Sequence, residues 1–334
     1  MFSCNLSARK TKEATKLTNQ TQQVKAQVPS WSSRFWAIVR YEMIWNIRKK
    51  KFIGILILAF ILATLGLVLP PILSSTTGTP LASNSNYAIT AGIGSFGFFL
   101  FALATAMNSI SSEFESGSIV PLLTKPVSRT MVFLGKLFAA FVVILIAYTI
   151  IFAYTTIGSF FVYGAQNNLQ LIPLLLFGNI VSTFIWVSLL FAMGSLTKNT
   201  VLAALVALGL FLALFIALPI VSVFAGPNGA LNYVPGSGAG GYLAGNTSFS
   251  ISAGTDNIGT NLVNYALHPS ATVDFSKVNL AAVRAGETGL PFSQVLYTEP
   301  MSLVALRSLG VALIYIFVFL FIAWYALKKT QVAE

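Results

Sequence analysis

The densest run of chemically capable residues lies between positions 111 and 136. It reads Ser112-Glu113-Phe114-Glu115-Ser116-Gly117-Ser118-Ile119, then Leu122-Leu123, Pro126-Val127-Ser128-Arg129 and Gly135-Lys136. Two carboxylates, a flexible glycine, an apolar Ile119–Leu123 stretch and a basic end suit docking rather than bond-making. Ser112-x-x-Glu115 is a capping box that starts a short helix. Gly117 permits a close backbone approach, and Pro126 stops an uninterrupted helix from running onward. Taken singly, these residues also fit a plainer reading. The Glu pair then only caps a helix, and Arg129 and Lys136 only mark a boundary.

Bond-making chemistry is scarce elsewhere. Gly135-Lys136 is followed by Leu137 and lacks a glycine five residues earlier, so the chain has no phosphate-binding P-loop and no ATPase site of that kind. The sole histidine, His268, and the sole cysteine, Cys4, preclude a Cys/His zinc site and an intrachain disulfide. The chain implies neither a metal nor a cofactor of its own.

The elements that must position segment 111–136 follow from composition. Of 334 residues, 56% are hydrophobic and 9% charged. Soluble domains carry about 25% charged residues, so a soluble enzyme is excluded. Six apolar runs reach the ~20 residues that cross a bilayer as a helix: Phe52–Leu73, Tyr87–Ile110, Leu137–Tyr163, Leu171–Leu196, Val201–Phe224 and about Leu303–Leu327. The alternation of a membrane barrel is absent. The expected fold is an all-α membrane protein of six transmembrane helices.

Charge orients it. The net charge is +11, and eleven basic residues precede Phe52. With both termini in the cytoplasm, 17 Lys and Arg lie inside and 3 outside, as the positive-inside rule requires. The basic excess therefore serves the membrane and its anionic lipids. No nucleic-acid-reading motif accompanies it, and nucleic acid is excluded as a partner. The implied location is the cell membrane.

The resulting organisation has five parts. Residues 1–30 form a flexible cytoplasmic tail without a signal-peptide core. Residues 31–51 form an interfacial amphipathic helix, with continuation of span 1 as the alternative. Residues 52–225 hold spans 1–5 and the loop 111–136. Residues 226–300, rich in Gly, Asn, Ser and Thr, form an extracellular, loop-rich region with short elements near Asn261–Leu267 and Val278–Arg284. Residues 301–334 hold span 6 and a cytoplasmic end. Asn246-Thr247-Ser248 is a glycosylation sequon on the outer side.

All nine acidic residues fall in predicted tails, loops or boundaries. A proton- or sodium-driven carrier commonly places ionisable groups in its spans, so that class recedes, although backbone carbonyls can also bind sodium. Arg307, near the outer end of span 6, reads as a snorkelling side chain. Span 2 mixes small and aromatic residues that allow close helix packing.

The pattern from Glu113 to Lys136 resembles the permease subunit of type-2 ABC exporters. Glu113, Glu115, Gly117, Ser118, Leu122, Leu123, Pro126, Val127, Ser128, Arg129, Gly135 and Lys136 carry the resemblance. Glu42 and Arg48 are similar to the family's connecting helix, and Gly194–Asn199 to its turn between spans 4 and 5. The subgroup it resembles most includes permeases linked to copper-enzyme maturation.

The resemblance implies an exporter permease that pairs with a second permease, itself or a similar chain. Its ATP and magnesium would be bound by a separate cytosolic ABC ATPase. Glu113, Glu115, Gly117, Ser118, Ile119, Leu122, Leu123, Pro126 and Arg129 become candidate ATPase-coupling residues, with Glu113 and Glu115 expected to matter more for coupling than for folding. Spans 2 and 5 line the family's route, so Phe96, Phe99, Asn108, Phe211 and Phe215 are pathway candidates. A non-transporting ABC-type module for signalling or self-protection is the alternative.

Overall fold

The computed structural model describes residues 30–77, 85–107, 109–115, 128–244, 246–278 and 292–329. The predicted tail thus lies outside the described residues apart from Ser30. The chain divides into two compact units, Met1–Ala37 and Ile38–Glu334. In the first, Trp31 and Phe35 stack at 5.4 Å at the start of helix α1 (Trp31–Arg48).

The second unit contains the apolar helices. They are α2 (Lys50–Thr77), α3 (Tyr87–Thr90), α4 (Gly94–Ala106), α5 (Ser111–Glu115), α6 (Arg129–Tyr163), α7 (Ile172–Thr197), α8 (Thr200–Phe224), α9 (Ile258–Leu267) and α10 (Met301–Lys329). Six helical segments among the described residues are long and apolar enough to cross a membrane. The chain is a multi-pass, α-helical membrane protein. Its central helix is α7, which buries Trp186, Leu190 and Phe191 against neighbouring helices. By contrast, α2 and α8 expose rows of Leu, Ile and Val, which lipid can cover without an unpaired polar cost.

Three elements depart from expectation. The run Tyr87–Ile110 is broken rather than continuous: the single turn α3 ends at Thr90, and α4 begins at Gly94. Gly94 has φ +77°, a left-handed conformation that side chains disfavour. What reads in sequence as small-residue packing is here a break in the backbone. Span 3 starts two turns early, at Arg129, because the Ser128 side chain caps it by accepting a hydrogen bond from Met131 N at 3.1 Å. The predicted capping box also fails: Ser112 lies within α5, not before it.

The 226–300 region, expected to be loop-rich, is built on an antiparallel sheet. Strands β1 (Gly240–Leu243), β2 (Asn246–Ser252), β3 (Thr272–Val278) and β4 (Phe292–Pro300) run in the order β2-β1-β3-β4. In β3, Val273 and Phe275 alternate with polar residues and are fully buried, facing a small core with Ile251, Met301 and Val304. The short element expected near Asn261–Leu267 is α9. Of the one expected at Val278–Arg284, Val278 ends β3 and the remainder lies outside the described residues.

Helix α9 lies directly on α7. A Cβ at Gly178 would strike the Gly259 backbone, and one at Gly259 would come within 2.7 Å of Leu175 O. The two glycines set the distance between sheet region and spans. Ser182 Oγ then donates to Thr255 O at 2.7 Å, fixing the turn Thr255–Asn257 on the same helix.

Candidate functional site

Lys136 is the focus of the loop end of the bundle. It lies in α6, is 3% exposed, and its ammonium reaches two carboxylates: Glu42 Oε1 at 2.5 Å and Glu113 Oε1 at 2.8 Å. These partners come from α1 and α5, so one cation ties three elements together. Gly135 makes the approach possible, since a Cβ there would meet the Ile38 side chain at 2.7 Å. Removing one member of a buried charge cluster leaves the others uncompensated, at a cost of about 3–5 kcal/mol.

Lys49, in the break between α1 and α2, sits beside this cluster. Its ammonium donates to Asn46 Oδ1 at 2.7 Å and lies 3.6 Å from the Trp45 ring centroid. Burial first, then the like charges of Lys51 and Lys136, push its pKa down to about 7, against the opposing pull of Glu42.

Glu115 serves a different helix. Its Oε1 accepts from Thr200 N at 2.8 Å, and Thr200 Oγ1 pairs with Ser111 Oγ at 3.0 Å. Asn199 Oδ1 accepts from Leu202 N at 2.9 Å in the same turn. The start of α8 is therefore capped both by its own Asn199 and by a carboxylate from α5. Arg129 completes the end by donating to Leu327 O at 3.4 Å and Lys328 O at 3.1 Å, tying α6 to the end of α10.

Thus Glu113, Glu115 and Arg129 are all engaged within the chain. Glu113 truncation would remove one of the Lys136 partners, so its contributions to folding and to coupling are not separable in the way its sequence context suggests. Gly117, Ser118, Ile119, Leu122, Leu123 and Pro126 lie outside the described residues. Glu42 was legible only as part of a resemblance, and Lys136 besides that only as a boundary charge. Nothing in their separation of 94 positions announces that they pair.

The pathway candidates converge, apart from Asn108, which lies outside the described residues. Phe99 stacks on Phe211 at 4.4 Å, Phe211 on Phe215 at 5.4 Å, and Phe96 lies 6.2 Å from Phe211. Trp186 of α7 completes the cluster, edge-on to Phe99 at 5.7 Å and to Phe211 at 5.1 Å. Phe99 and Phe211 are fully buried, whereas Phe96 and Phe215 are about half exposed. The aromatic cluster joins spans α4, α7 and α8 along one side of the bundle.

Arg307 does more than snorkel. It makes a two-pronged ion pair with Glu299, at 2.7 and 2.6 Å, and lies 5.8 Å from the Tyr233 ring. This clamps β4 to the start of α10. The Asn246 backbone lies at the start of β2. Among the described residues, no three His, Cys, Asp or Glu side chains gather as a metal site would require.

Residues 36–332 match the family described as ABC-2 family transporter protein. A comparison with curated proteins found no match.

Proposed function

Because the chain belongs to the ABC-2 transporter family, it is a membrane component of an ABC transporter, and we propose that it is the permease subunit of an exporter driven by a separate cytosolic ATPase. Two permease copies, or this chain and a similar one, form the transport unit in the plasma membrane. Both termini and the segment 111–136 face the cytoplasm; the sheet region faces outward, with the Asn246 sequon on that side. Placement in the copper-enzyme-maturation-like subgroup belongs to the same proposal.

The observation that carries this reading is the Lys136 cluster. The undescribed stretch 116–127 joins α5 to α6, and both ends of that stretch are anchored. At one end Glu113 pairs with Lys136, which in turn pairs with Glu42, while Glu115 holds the start of α8. At the other, Arg129 holds the end of α10. An ATPase that grips the apolar Ile119–Leu123 surface would therefore pull on α1, α6, α8 and α10 together. Rigid helices pass such a shift along as a rotation or tilt. Because α8 carries Phe211 and Phe215, the displacement reaches the aromatic cluster. ATP and magnesium act on the ATPase, and this chain supplies the lever and the route.

Affinity purification of the full chain should recover a P-loop ATPase, and the chain freed of that partner should turn over no ATP. Sustained ATP hydrolysis by the isolated chain would overturn the assignment.

A further inference from the structure

At the sheet end lies a carboxylate that the lever does not use. Asp256, in the turn Thr255–Asn257, is 6% exposed, and its Oδ1 has no hydrogen-bond partner. The buried indole of Trp186 lies beside this carboxylate and, as a hydrogen-bond donor, opposes the burial-driven rise in its pKa. Both residues line a cavity of about 280 Å³, together with Ser95, Phe211, Phe215 and Gly236. Asp256 is the one ionisable side chain among the described residues lining it.

The turn is held in place. Besides the Ser182 bond to Thr255 O, Gly236 N donates to Thr255 Oγ1 at 3.0 Å, Asp256 N to Gly236 O at 3.1 Å, and Gly254 N to Ser237 O at 2.9 Å. The carboxylate is therefore fixed at the cavity rather than free to swing into water. Burial pushes its pKa up to about 6, opposed by the nearby Ser95 and Trp186 side chains. At neutral pH it is still mostly ionised, and a buried anion without a counter-cation is costly.

The cavity's chemistry selects the missing partner. An anion would be repelled. A hard metal ion needs about six oxygen ligands, and one carboxylate with the two serines Ser95 and Ser237 falls short of that set. An organic cation fits, because aromatic faces attract ammonium groups and reinforce the carboxylate. Trp186 and Phe215 line the cavity beside Asp256, and Phe211, stacked between Phe99 and Phe215, backs them. The volume lies near the lower end of the ~300–1,000 Å³ range of ligand sites, enough for an ammonium group rather than a whole amphiphile. The half-exposed Phe215 gives the cavity an open side through which an attached chain can leave.

We propose that the cavity between Asp256, Trp186, Phe211 and Phe215 binds the alkylammonium group of a ligand, either a free organic cation or a lipid headgroup. The assignment deepens the permease reading and rests on it only for the route by which the ligand arrives. Binding is measured without an ATPase, so failure of the lever leaves it intact.

The test uses the purified full-length chain in detergent free of zwitterionic lipid, titrated calorimetrically with choline. Saturable binding is expected. The uncharged isostere 3,3-dimethyl-1-butanol should bind at least about tenfold more weakly, as should choline to Asp256→Asn. Phe215→Leu, which removes the half-exposed aromatic wall and its stack on Phe211, should weaken choline severalfold. Nanodiscs separate the two sources. If a headgroup is the ligand, phosphatidylethanolamine added to phosphatidylglycerol competes with choline in the unmodified chain. If a free cation is the ligand, choline binding is unchanged by that lipid. Absence of saturable choline binding, equal binding of the neutral isostere, or unchanged affinity in Asp256→Asn overturns the proposal.

Discussion

At one end of the bundle, Glu42 and Glu113 close on Lys136. At the other, Asp256 faces an aromatic cavity without a cation from the chain. Both sites bury carboxylates, and the surroundings of both are fixed by hydrogen bonds across elements. The difference lies in where the counter-charge comes from. A carboxylate neutralised within the chain makes its elements move as one, which suits a lever. A carboxylate left without a cation is a place for a ligand to supply one. The same desolvation cost thus has two outcomes, set by whether a lysine is built into the facing helix.

Breaking the paired end should have the largest effect. Lys136→Met leaves Glu42 and Glu113 buried beside each other without their cation. It should destabilise the chain by about 3–5 kcal/mol, read as a fall in the thermal unfolding midpoint, whereas Lys136→Arg should recover much of the loss. An unfolding midpoint unmoved by Lys136→Met would show that the ion pairs hold nothing together.

The unpaired end should respond in the opposite direction. Asp256 has a pKa raised from 3.8 to about 6 in the folded chain. The folded state therefore holds the proton more tightly than the unfolded state does. The stability this contributes is complete below about pH 4 and is lost as pH rises through about 6. At pH 8 and without ligand, Asp256→Asn should be the more stable form, by on the order of 3 kcal/mol at about 1.4 kcal/mol per pKa unit. The advantage should vanish near pH 3. Denaturant unfolding at several pH values measures it, and a pH-independent difference between the two chains would count against a buried, ionised carboxylate without a counter-cation.

The smallest effect belongs to the helix cap. Glu115→Gln keeps an oxygen for Thr200 N but removes the charge at the start of α8, worth about 0.3–1 kcal/mol. Its unfolding midpoint should shift slightly, and far less than that of Lys136→Met. A loss as large as that of the lysine variant would place Glu115 inside the same charged cluster.

The helical part of the fold was legible because crossing a bilayer demands long apolar runs, and such runs survive in composition alone. Leu171–Leu196 and Val201–Phe224 lie within about one residue of α7 and α8. The break before α4 was not legible, since Gly92 and Gly94 look the same in a packed helix and in a hinge. In the sheet region, abundant Gly, Asn and Ser concealed strands whose signal was present: Val273 and Phe275 in β3 alternate as a half-buried strand does. The aromatic cluster was partly legible through Phe96, Phe99, Phe211 and Phe215, but Trp186 joins it from α7 only in three dimensions. Asp256 read as an ordinary loop acid, because nothing local signals that Ser182 will draw its turn onto a span.

The lever itself is tested most directly by distance. A spin label at the exposed Tyr41 of α1 (Tyr41→Cys in a Cys4→Ser background), the helix that Lys136 holds through Glu42, reports the separation between two permease copies bound to their ATPase. Trapping ATP should shift that separation in the otherwise unmodified complex and in Lys136→Arg. In Lys136→Met, with the ATPase still bound, the two nucleotide states should give the same distance. A full ATP-dependent shift in Lys136→Met would contradict transmission through the Glu42–Lys136–Glu113 cluster.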